Sequence, residues 1–279
     1  MSTLAELTPG LKSLRLETAE DGRVAEVVLT GPGKGNAMGP DMWRELPEVF
    51  GALDRDPTVR AVLVRGEGAH FSYGIDLVAM ARELAGAGGP AYERAGFLDG
   101  VRRLQAALDA AATCRKPVVA AVDGWCIGGG VDLIAACDIR VCSAQARFSV
   151  REVRVGIVAD VGSLQRLPYI IGDGTTRRLA LTGEDVDAAF AERVGLVSEV
   201  FADGAALLTG ARALACLLAE NPPLVVQGTK QVLNACRDLP LRDGLEHVAV
   251  WNSAFLATED LGEAMAAFAE RRPPRFTGR

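Results

Sequence analysis

The amino-acid sequence predicts an α/β fold in which short strands alternate with helices and a helical segment completes the chain. Residues 11–66 and 116–143 share one order of elements, in which a strand, a loop and a helix are followed by another strand. Near residues 202–206 the pattern changes, and the stretches that follow have only the apolar spacing of helices. We therefore expect repeated ββα-like units of stacked short strands, followed by a C-terminal helical subdomain.

The first unit lies in residues 11–66. Two short strands are expected in residues 11–30 around a turn at Asp21 and Gly22, because apolar and polar residues alternate in VAEVVLT. The glycine-rich loop GPGKGNAMG (31–39) precedes a helix that should begin at Pro40 and Asp41. The apolar stretch VRAVLVRG (59–66) then predicts the strand that completes the unit.

The second unit lies in residues 116–143. KPVVAAVDG (116–124) predicts a strand, GGGVDLIAACD (128–138) a helix and IRVCS (139–143) another strand. Residues 78–115, between the two units, are mainly helical in pattern, and a break at Gly86–Pro90 suggests a flexible lid. We place the catalytic core in residues 1–204 and the helical region in residues 205–279.

Composition excludes several classes of protein. Hydrophobic residues make up 49% of the 279-residue chain, which is enough for a sizeable core, and the net charge of −6 gives no electrostatic footprint for nucleic acid. No stretch has the ~18 apolar residues of a membrane span, and the N-terminal residues lack the pattern of a secretory signal. The six cysteines form no CxxC pair, which is typical of free thiols in a reducing compartment. We therefore expect a soluble, cytoplasmic protein with no nucleic-acid or membrane partner.

Several kinds of chemistry are also disfavoured. The only histidines, His70 and His247, are far apart in sequence, which argues against a histidine-rich metal site and leaves a serine triad as a weak alternative. In GWCIGGG a dinucleotide-binding pattern that begins at Gly128 would need a glycine where Leu133 stands. GPGKGNA lacks the serine or threonine that follows lysine in a phosphate-binding P-loop. We therefore expect neither a metal nor a separate cofactor.

Two glycine-containing segments are candidates for stabilising negative charge. Gly129 lies in a glycine run that follows an apolar strand and begins a helix, where backbone N–H groups have no intrahelical partner. FSYGIDL (71–77) has a similar order, with an apolar segment, a glycine and then an acidic residue. Two such amides directed at one oxygen would form an oxyanion hole. The alternative is that these glycines only permit tight turns between strand and helix.

Three acidic residues lie in apolar surroundings: Asp132 in VDLIAAC, Glu152 in FSVREVRVGI and Asp160 in IVADVGSL. Burial raises the pKa of a carboxyl toward neutrality, which suits general acid–base catalysis. Structural alternatives are a helix cap or a salt bridge for Asp132 and an ion pair of Glu152 with a neighbouring arginine. The arginines nearest to Asp160, Arg154 and Arg166, are more distant in sequence, so an ion pair is a weaker alternative for this residue.

Taken together, these motifs resemble the crotonase superfamily over nearly the whole chain. The resemblance lies in GNAMGPDMWREL, in HFSYGIDL and in the long stretch from DGWCIGGGVDLIAACD to SVREVRVGIVADVGSLQRLP. It implies a crotonase-like spiral of repeated ββα units with a C-terminal helical oligomerisation subdomain. Within the superfamily the chain is most similar to the 3,5-dienoyl-CoA to 2,4-dienoyl-CoA isomerases. These have aspartate, glutamate and aspartate at the positions of Asp132, Glu152 and Asp160, whereas hydratases usually have glycine at the third.

The resemblance also implies a role for each site residue. The amides of Ile75 and Gly129 would form the oxyanion hole, Glu152 would exchange a proton at carbon 2 of the acyl chain, and Asp160 would exchange one at carbon 6. Asp132 would orient or tune this pair. The expected substrate is an acyl-CoA thioester, whose coenzyme A is not a separate cofactor, and the expected assembly is a homotrimer or hexamer. Expected substrate-binding residues are Tyr73, Gly74, Ile75, Asp76, Leu77 and Gly129.

Other functions remain open on the sequence alone. The nearest alternative is a 2-enoyl-CoA hydratase of the same family, against which Asp160 argues. A family member that binds acyl-CoA or a macromolecular partner without catalysis is a second alternative. A serine hydrolase that uses His70 is a third.

Overall fold

The computed structural model describes residues 7–19, 21–31, 34–81 and 88–279, and its main sheet has six strands in this part of the chain. β1 and β2 form an antiparallel edge on either side of a turn that contains Asp21 and Gly22, as predicted. The other neighbouring strands of this sheet, in the order β2, β3, β4, β6 and β9, are parallel. The strands of the described chain are β1 (Leu14–Thr18), β2 (Val24–Leu29), β3 (Ala61–Gly66), β4 (Val118–Val122), β5 (Trp125–Ile127), β6 (Ile139–Ser143), β7 (Arg147–Ser149), β8 (Val186–Asp187) and β9 (Glu199–Phe201).

A second, three-stranded sheet orders the loops that carry the candidate site. In this sheet β5 pairs with β7 in parallel, and β7 pairs with β8 antiparallel. Isolated parallel bridges join Ser72 to Cys126 and Met38 to Ile75. The segment 71–77 is therefore attached to β5, which leads directly into the next helix, and Met38 of the glycine-rich loop is attached to this segment.

Helices cover both sides of the main sheet, which explains why all residues of the apolar strands β2 and β4 are buried. The mixed α/β organisation predicted from the sequence is confirmed. The helices of the described chain are α1 (Pro40–Arg55), α2 (Ala91–Thr113), α3 (Gly129–Ala136), α4 (Ser163–Ile171), α5 (Asp173–Thr182), α6 (Ala188–Arg193), α7 (Gly204–Glu220), α8 (Pro223–Ala235), α9 (Leu241–Phe255) and α10 (Glu259–Glu270), with short 3-10 turns at Thr8–Gly10 and Glu152–Val155.

The C-terminal part of the described chain is helical, as predicted, from α7 to α10. Leu207 and Ala211 of α7 nevertheless pack in one apolar cluster with Leu63 and Val119 of the main sheet. The first of these helices thus contributes to the core, and the division at residues 204/205 stays a prediction. None of the described helices is long and apolar enough to cross a membrane. The predicted lid falls partly on residues 82–87, which lie outside the described residues.

Candidate active site

The amide groups of Ile75 and Gly129 lie close together. The N–H of Met38 donates to the carbonyl oxygen of Gly74 at 2.7 Å, and the N–H of Asp76 donates to the carbonyl oxygen of Met38 at 3.1 Å. Because backbone groups alternate along an extended segment, the N–H of Ile75 between them points away from Met38. A Cβ added to Gly129 would lie 3.6 Å from the nitrogen of Ile75. In the described part of the chain, neither amide has a protein acceptor.

Glycine is required at the contact between the two segments. Gly74 has φ +77°, and a Cβ at this position would lie 2.5 Å from the carbonyl oxygen of Ile127 and 3.0 Å from the nitrogen of Gly129. Gly128, which precedes α3, has φ +51°. Any larger residue at Gly74 would push the segment 71–77 away from the start of α3.

Asp132 is completely buried in the first turn of α3. Its Oδ1 accepts a hydrogen bond from the N–H of Ser163, the first residue of α4, whereas its Oδ2 has no hydrogen-bond partner in the described chain. Burial raises the pKa of Asp132 to about 6, an effect that the Ser163 amide partly offsets. The carboxylate thus caps the helix that follows the Asp160 segment, which agrees in part with the structural alternative of a helix cap.

Glu152 begins the 3-10 turn beside the N-terminus of α3. Its Oε1 lies 3.1 Å from the position of a Cβ on Gly128, and its buried Oε2 has no hydrogen-bond partner in the described chain. Burial raises the pKa of Glu152 to about 7, and the negative charge of Asp132 contributes to this rise. The neighbouring Arg151 pairs instead with Asp185. The ion-pair alternative for Glu152 is therefore not observed.

Asp160 lies in an irregular segment between this turn and α4. Its side chain is half-buried, and burial raises the pKa of its carboxyl. Arg166, the arginine that follows it in sequence, pairs with Asp109 of α2. No salt bridge of Asp160 is found within the described ranges, so its carboxyl is available to a ligand.

A cavity of about 1340 Å³ connects the candidate groups. Ile75 and Gly129 line it together with Glu152 and Asp160. A second cavity, of about 440 Å³, meets the first at Ile75 and Glu152 and is also lined by Tyr73 and Leu77. Near the meeting point of the two cavities, the amides of Ile75 and Gly129 and the carboxyl of Glu152 lie close to one another.

The other predicted site residues do not line either cavity. Asp132 is buried close to Glu152. Gly74 contacts the start of α3 with its backbone. The carboxylate of Asp76 accepts hydrogen bonds from the N–H groups of Val78 and Ala79. Asp76 therefore stabilises the turn after the segment 71–77. Asp132 can act only through Glu152 or through the backbone of α4.

Neither histidine lines either cavity. Nδ1 of His70 accepts a hydrogen bond from the N–H of Trp125 at 3.3 Å, and its ring stacks on Tyr73 with 5.0 Å between centroids. His247 lies on α9, far along the chain from the site. Among the described residues, no group of three or more His, Cys, Asp or Glu side chains could hold a metal ion. This arrangement gives no support to a serine triad at His70.

The walls of the larger cavity were not identified from the sequence. Trp43 of α1 and Phe97 and Leu104 of α2 line it together with the candidate groups. In the sequence these residues have the spacing of ordinary helical core positions, which does not distinguish a cavity wall from a packed core. The guanidinium of Arg151 lies 5.4 Å from the ring centroid of Trp125, and both residues line the second cavity.

Comparison with known proteins decides the family. The sequence profile of the enoyl-CoA hydratase/isomerase family matches residues 19–279. The chain belongs to this family. A Dictyostelium discoideum relative named mitochondrial Δ(3,5)-Δ(2,4)-dienoyl-CoA isomerase is 43% identical, over 95% of this chain and 91% of its own length. An Arabidopsis thaliana relative, named the peroxisomal form of that isomerase, is 42% identical over 92% of this chain and 93% of its own.

The crotonase-like fold expected for a member of this family is confirmed. A solved enoyl-CoA hydratase from Bacillus anthracis superposes with a TM-score of 0.87 at 26% identity, over 96% of this chain and all of that chain (100%). The expectation of a cytoplasmic protein is wrong, because the two isomerases just described are named mitochondrial and peroxisomal. Organelle addresses are short signals that receptors recognise, and neither core composition nor the lack of a secretory signal indicates them.

Proposed function

We propose that this family member is an isomerase that converts 3,5-dienoyl-CoA into 2,4-dienoyl-CoA. One observation carries the proposal: Asp160 lines the same cavity as Glu152 and the amides of Ile75 and Gly129. A reaction that moves two conjugated double bonds needs proton exchange at two carbons four bonds apart. Two carboxyls at separate places in one cavity meet this need better than a single shuttling base.

The reaction proceeds in two proton transfers. Ionised Glu152 removes a proton from carbon 2, and the electron pair moves onto the thioester oxygen to give an extended dienolate, which the two amides stabilise. Protonated Asp160 then donates a proton to carbon 6, the charge returns from the oxygen, and the double bonds lie at carbons 2 and 4. Burial raises the pKa of both carboxyls, which favours the protonated form of Asp160 and, with a pKa of about 7, makes Glu152 a base suited to neutral pH.

The substrate provides its own coenzyme A, and the residues assigned here act without a metal or a separate cofactor. The thioester would lie where the two cavities meet, with the acyl chain against the apolar wall of α1 and α2. Tyr73 and Leu77 would contact the pantetheine side from the second cavity, and Gly74 and Asp76 would shape the segment that presents Ile75. The ring of Tyr73 packs over Gly35, and we expect it to narrow this mouth.

A 2-enoyl-CoA hydratase is the second candidate, since the similar Bacillus anthracis structure is named as one. Hydration needs two carboxyls close to carbons 2 and 3 to activate one water. Asp132, the remaining carboxyl near Glu152, is completely buried and lines neither cavity. This arrangement favours the isomerase.

We also propose a homotrimer or hexamer formed through the C-terminal helices. In the single chain, α9 buries none of its residues, and large apolar side chains of α8 to α10 are exposed. Exposed apolar area of this kind is typical of an interface. A monomeric mass by light scattering at assay concentrations would count against this proposal. The exposed residues include Leu233, Leu241, Leu245, Val250, Phe255, Leu256, Met265 and Phe268.

The proposed function can be tested by measuring the reaction of the purified protein with two substrates. With a 3,5-dienoyl-CoA, we expect the ultraviolet absorbance of the conjugated 2,4-dienoyl product to rise rapidly. In a parallel cuvette with a 2-enoyl-CoA, we expect slow or no loss of the double bond. Fast hydration without dienoyl product would overturn the proposal in favour of the hydratase.

Replacement of Gly74 by alanine should separate the two oxyanion amides. The added Cβ would lie 2.5 Å from the carbonyl oxygen of Ile127, so the segment must move, and we expect kcat to fall by about 10²-fold. Gly68→Ala is the matched control, because Gly68 has φ +73° but no atom within 4 Å of an added Cβ. Equal losses in the two variants would show that backbone strain, and not the amide geometry, determines the effect.

A further inference from the structure

The segment that carries Asp160 has little backbone support. Residues 157–160 form no helix or strand, and Ala159 and Val161 are buried in the core on either side of Asp160. Within the described chain, the backbone of residues 158–161 makes only one hydrogen bond with another residue. Nε2 of Gln105 donates it to the carbonyl oxygen of Asp160 at 2.7 Å.

Gln105 lies on α2, which is also a wall of the larger cavity. Phe97, Val101 and Leu104 of this helix line the cavity that contains Asp160. Asp109, one turn after Gln105, pairs with Arg166 of α4. Residues four apart in a helix share a face, so one face of α2 holds both the Asp160 segment and the helix that follows it.

We propose that Gln105 is a positioning residue, which sets the place of Asp160 against carbon 6 of the acyl chain. This inference rests on the proposed function and deepens it. The carboxyl of Asp160 has no ion pair in the described chain, so the position of its own backbone determines where the proton is delivered. Gln105 fixes that backbone from the helix that the acyl chain contacts.

The positioning role has a consequence that a general contribution to stability lacks. The dienolate can be protonated at carbon 2, which returns the substrate, or at carbon 6, which gives the product. Only the second transfer depends on the place of Asp160. Loss of the Gln105 hydrogen bond should therefore slow product formation while proton exchange at carbon 2 through Glu152 continues, because misplacement of a reacting group by about 1 Å can cost about 10²-fold.

The experiment uses Gln105→Met in the full chain, with Gln165→Met as the matched control. Gln165 is an exposed residue of α4 for which the structure records no side-chain hydrogen bond. A 3,5-dienoyl-CoA is incubated with each protein in deuterated water. Absorbance gives the rate of product formation, and mass spectrometry gives the deuterium at carbon 2 of the recovered substrate. Asp160→Asn in the same series gives the limit for loss of the acid at carbon 6.

For Gln105→Met we expect the rate of product formation to fall by about tenfold, because loss of one hydrogen bond should displace the segment by less than about 1 Å. The ratio of deuterium in the recovered substrate to product formed should then be higher than in the wild type and in Gln165→Met. A wild-type rate of product formation in Gln105→Met would overturn the inference. An equal loss of product formation and of deuterium exchange at carbon 2 would overturn it as well. A wild-type protein that forms no dienoyl product would instead overturn the proposed function, and this inference with it.

Discussion

Glu152→Gln should reduce kcat for the isomerisation of a 3,5-dienoyl-CoA by about 10²–10⁴-fold, the range for loss of a positioned general base. The amide side chain has nearly the same shape but cannot accept the proton from carbon 2. Because Oε2 of Glu152 has no partner in the described chain, the variant breaks no recorded bond of that atom and removes a buried charge. We therefore expect a folded protein that still binds substrate.

The measurement for this variant is steady-state absorbance, with thermal unfolding as a check of the fold. Glu199→Gln is the matched control, because Glu199 is an exposed residue of β9, outside both cavities. The control should retain the wild-type rate. Full activity in Glu152→Gln would remove the base from this mechanism and require another group in the cavity.

The pH dependence of the wild type reports on the same residue. The base must be ionised, and burial together with Asp132 raises the pKa of Glu152 to about 7, so the limb of the kcat/KM profile that rises with pH should have its midpoint near pH 7. Ionisation of the acid Asp160 gives a separate limb, which falls as pH rises. In Asp132→Asn the negative neighbour is lost, which lowers the pKa of Glu152, and the midpoint should move to lower pH. The asparagine oxygen can still accept from the Ser163 amide. A midpoint that stays in place would show that Asp132 does not tune Glu152.

Local patterns predicted the elements of the fold because each depends on neighbouring residues. The turn at Asp21 and Gly22 and the helix that begins at Pro40 both appear as expected. The apolar setting of Asp132 also indicated burial correctly. Its contact could not be predicted, because its partner, the amide of Ser163, lies 31 residues away in sequence and is brought near only by the packing of α3 against α4.

The parts of the site that escaped prediction depend on the packing of distant helices. Phe97 of α2 and Trp43 of α1 line the larger cavity, yet each has the pattern of a core residue. The carboxylate of Asp76, a predicted substrate-binding residue, accepts hydrogen bonds from two N–H groups of the next turn, a contact that its sequence motif does not reveal. A sequence indicates which side chains are unusual for their surroundings. It does not indicate which of them face an empty space.

Asp160→Asn is expected to lower the isomerisation rate by about 10²–10⁴-fold, as for loss of a general acid. Asparagine keeps the volume of the side chain and the backbone hydrogen bond from Gln105, but it has no acidic proton to give to carbon 6. Asp99→Asn serves as the control, because Asp99 lies on the exposed side of α2 and pairs only with Arg102 in the described chain.

The decisive feature of Asp160→Asn is selectivity between the two proton transfers. Glu152 and the oxyanion amides remain, so deuterium from the solvent should still enter carbon 2 of the recovered substrate while little product forms. Isomerisation at the wild-type rate would mean that Glu152 alone carries the proton from carbon 2 to carbon 6. Loss of both processes together would mean that Asp160 supports the geometry of Glu152 and is not the acid. Only a loss confined to carbon 6 assigns the third carboxyl the role that distinguishes an isomerase from a hydratase in this cavity.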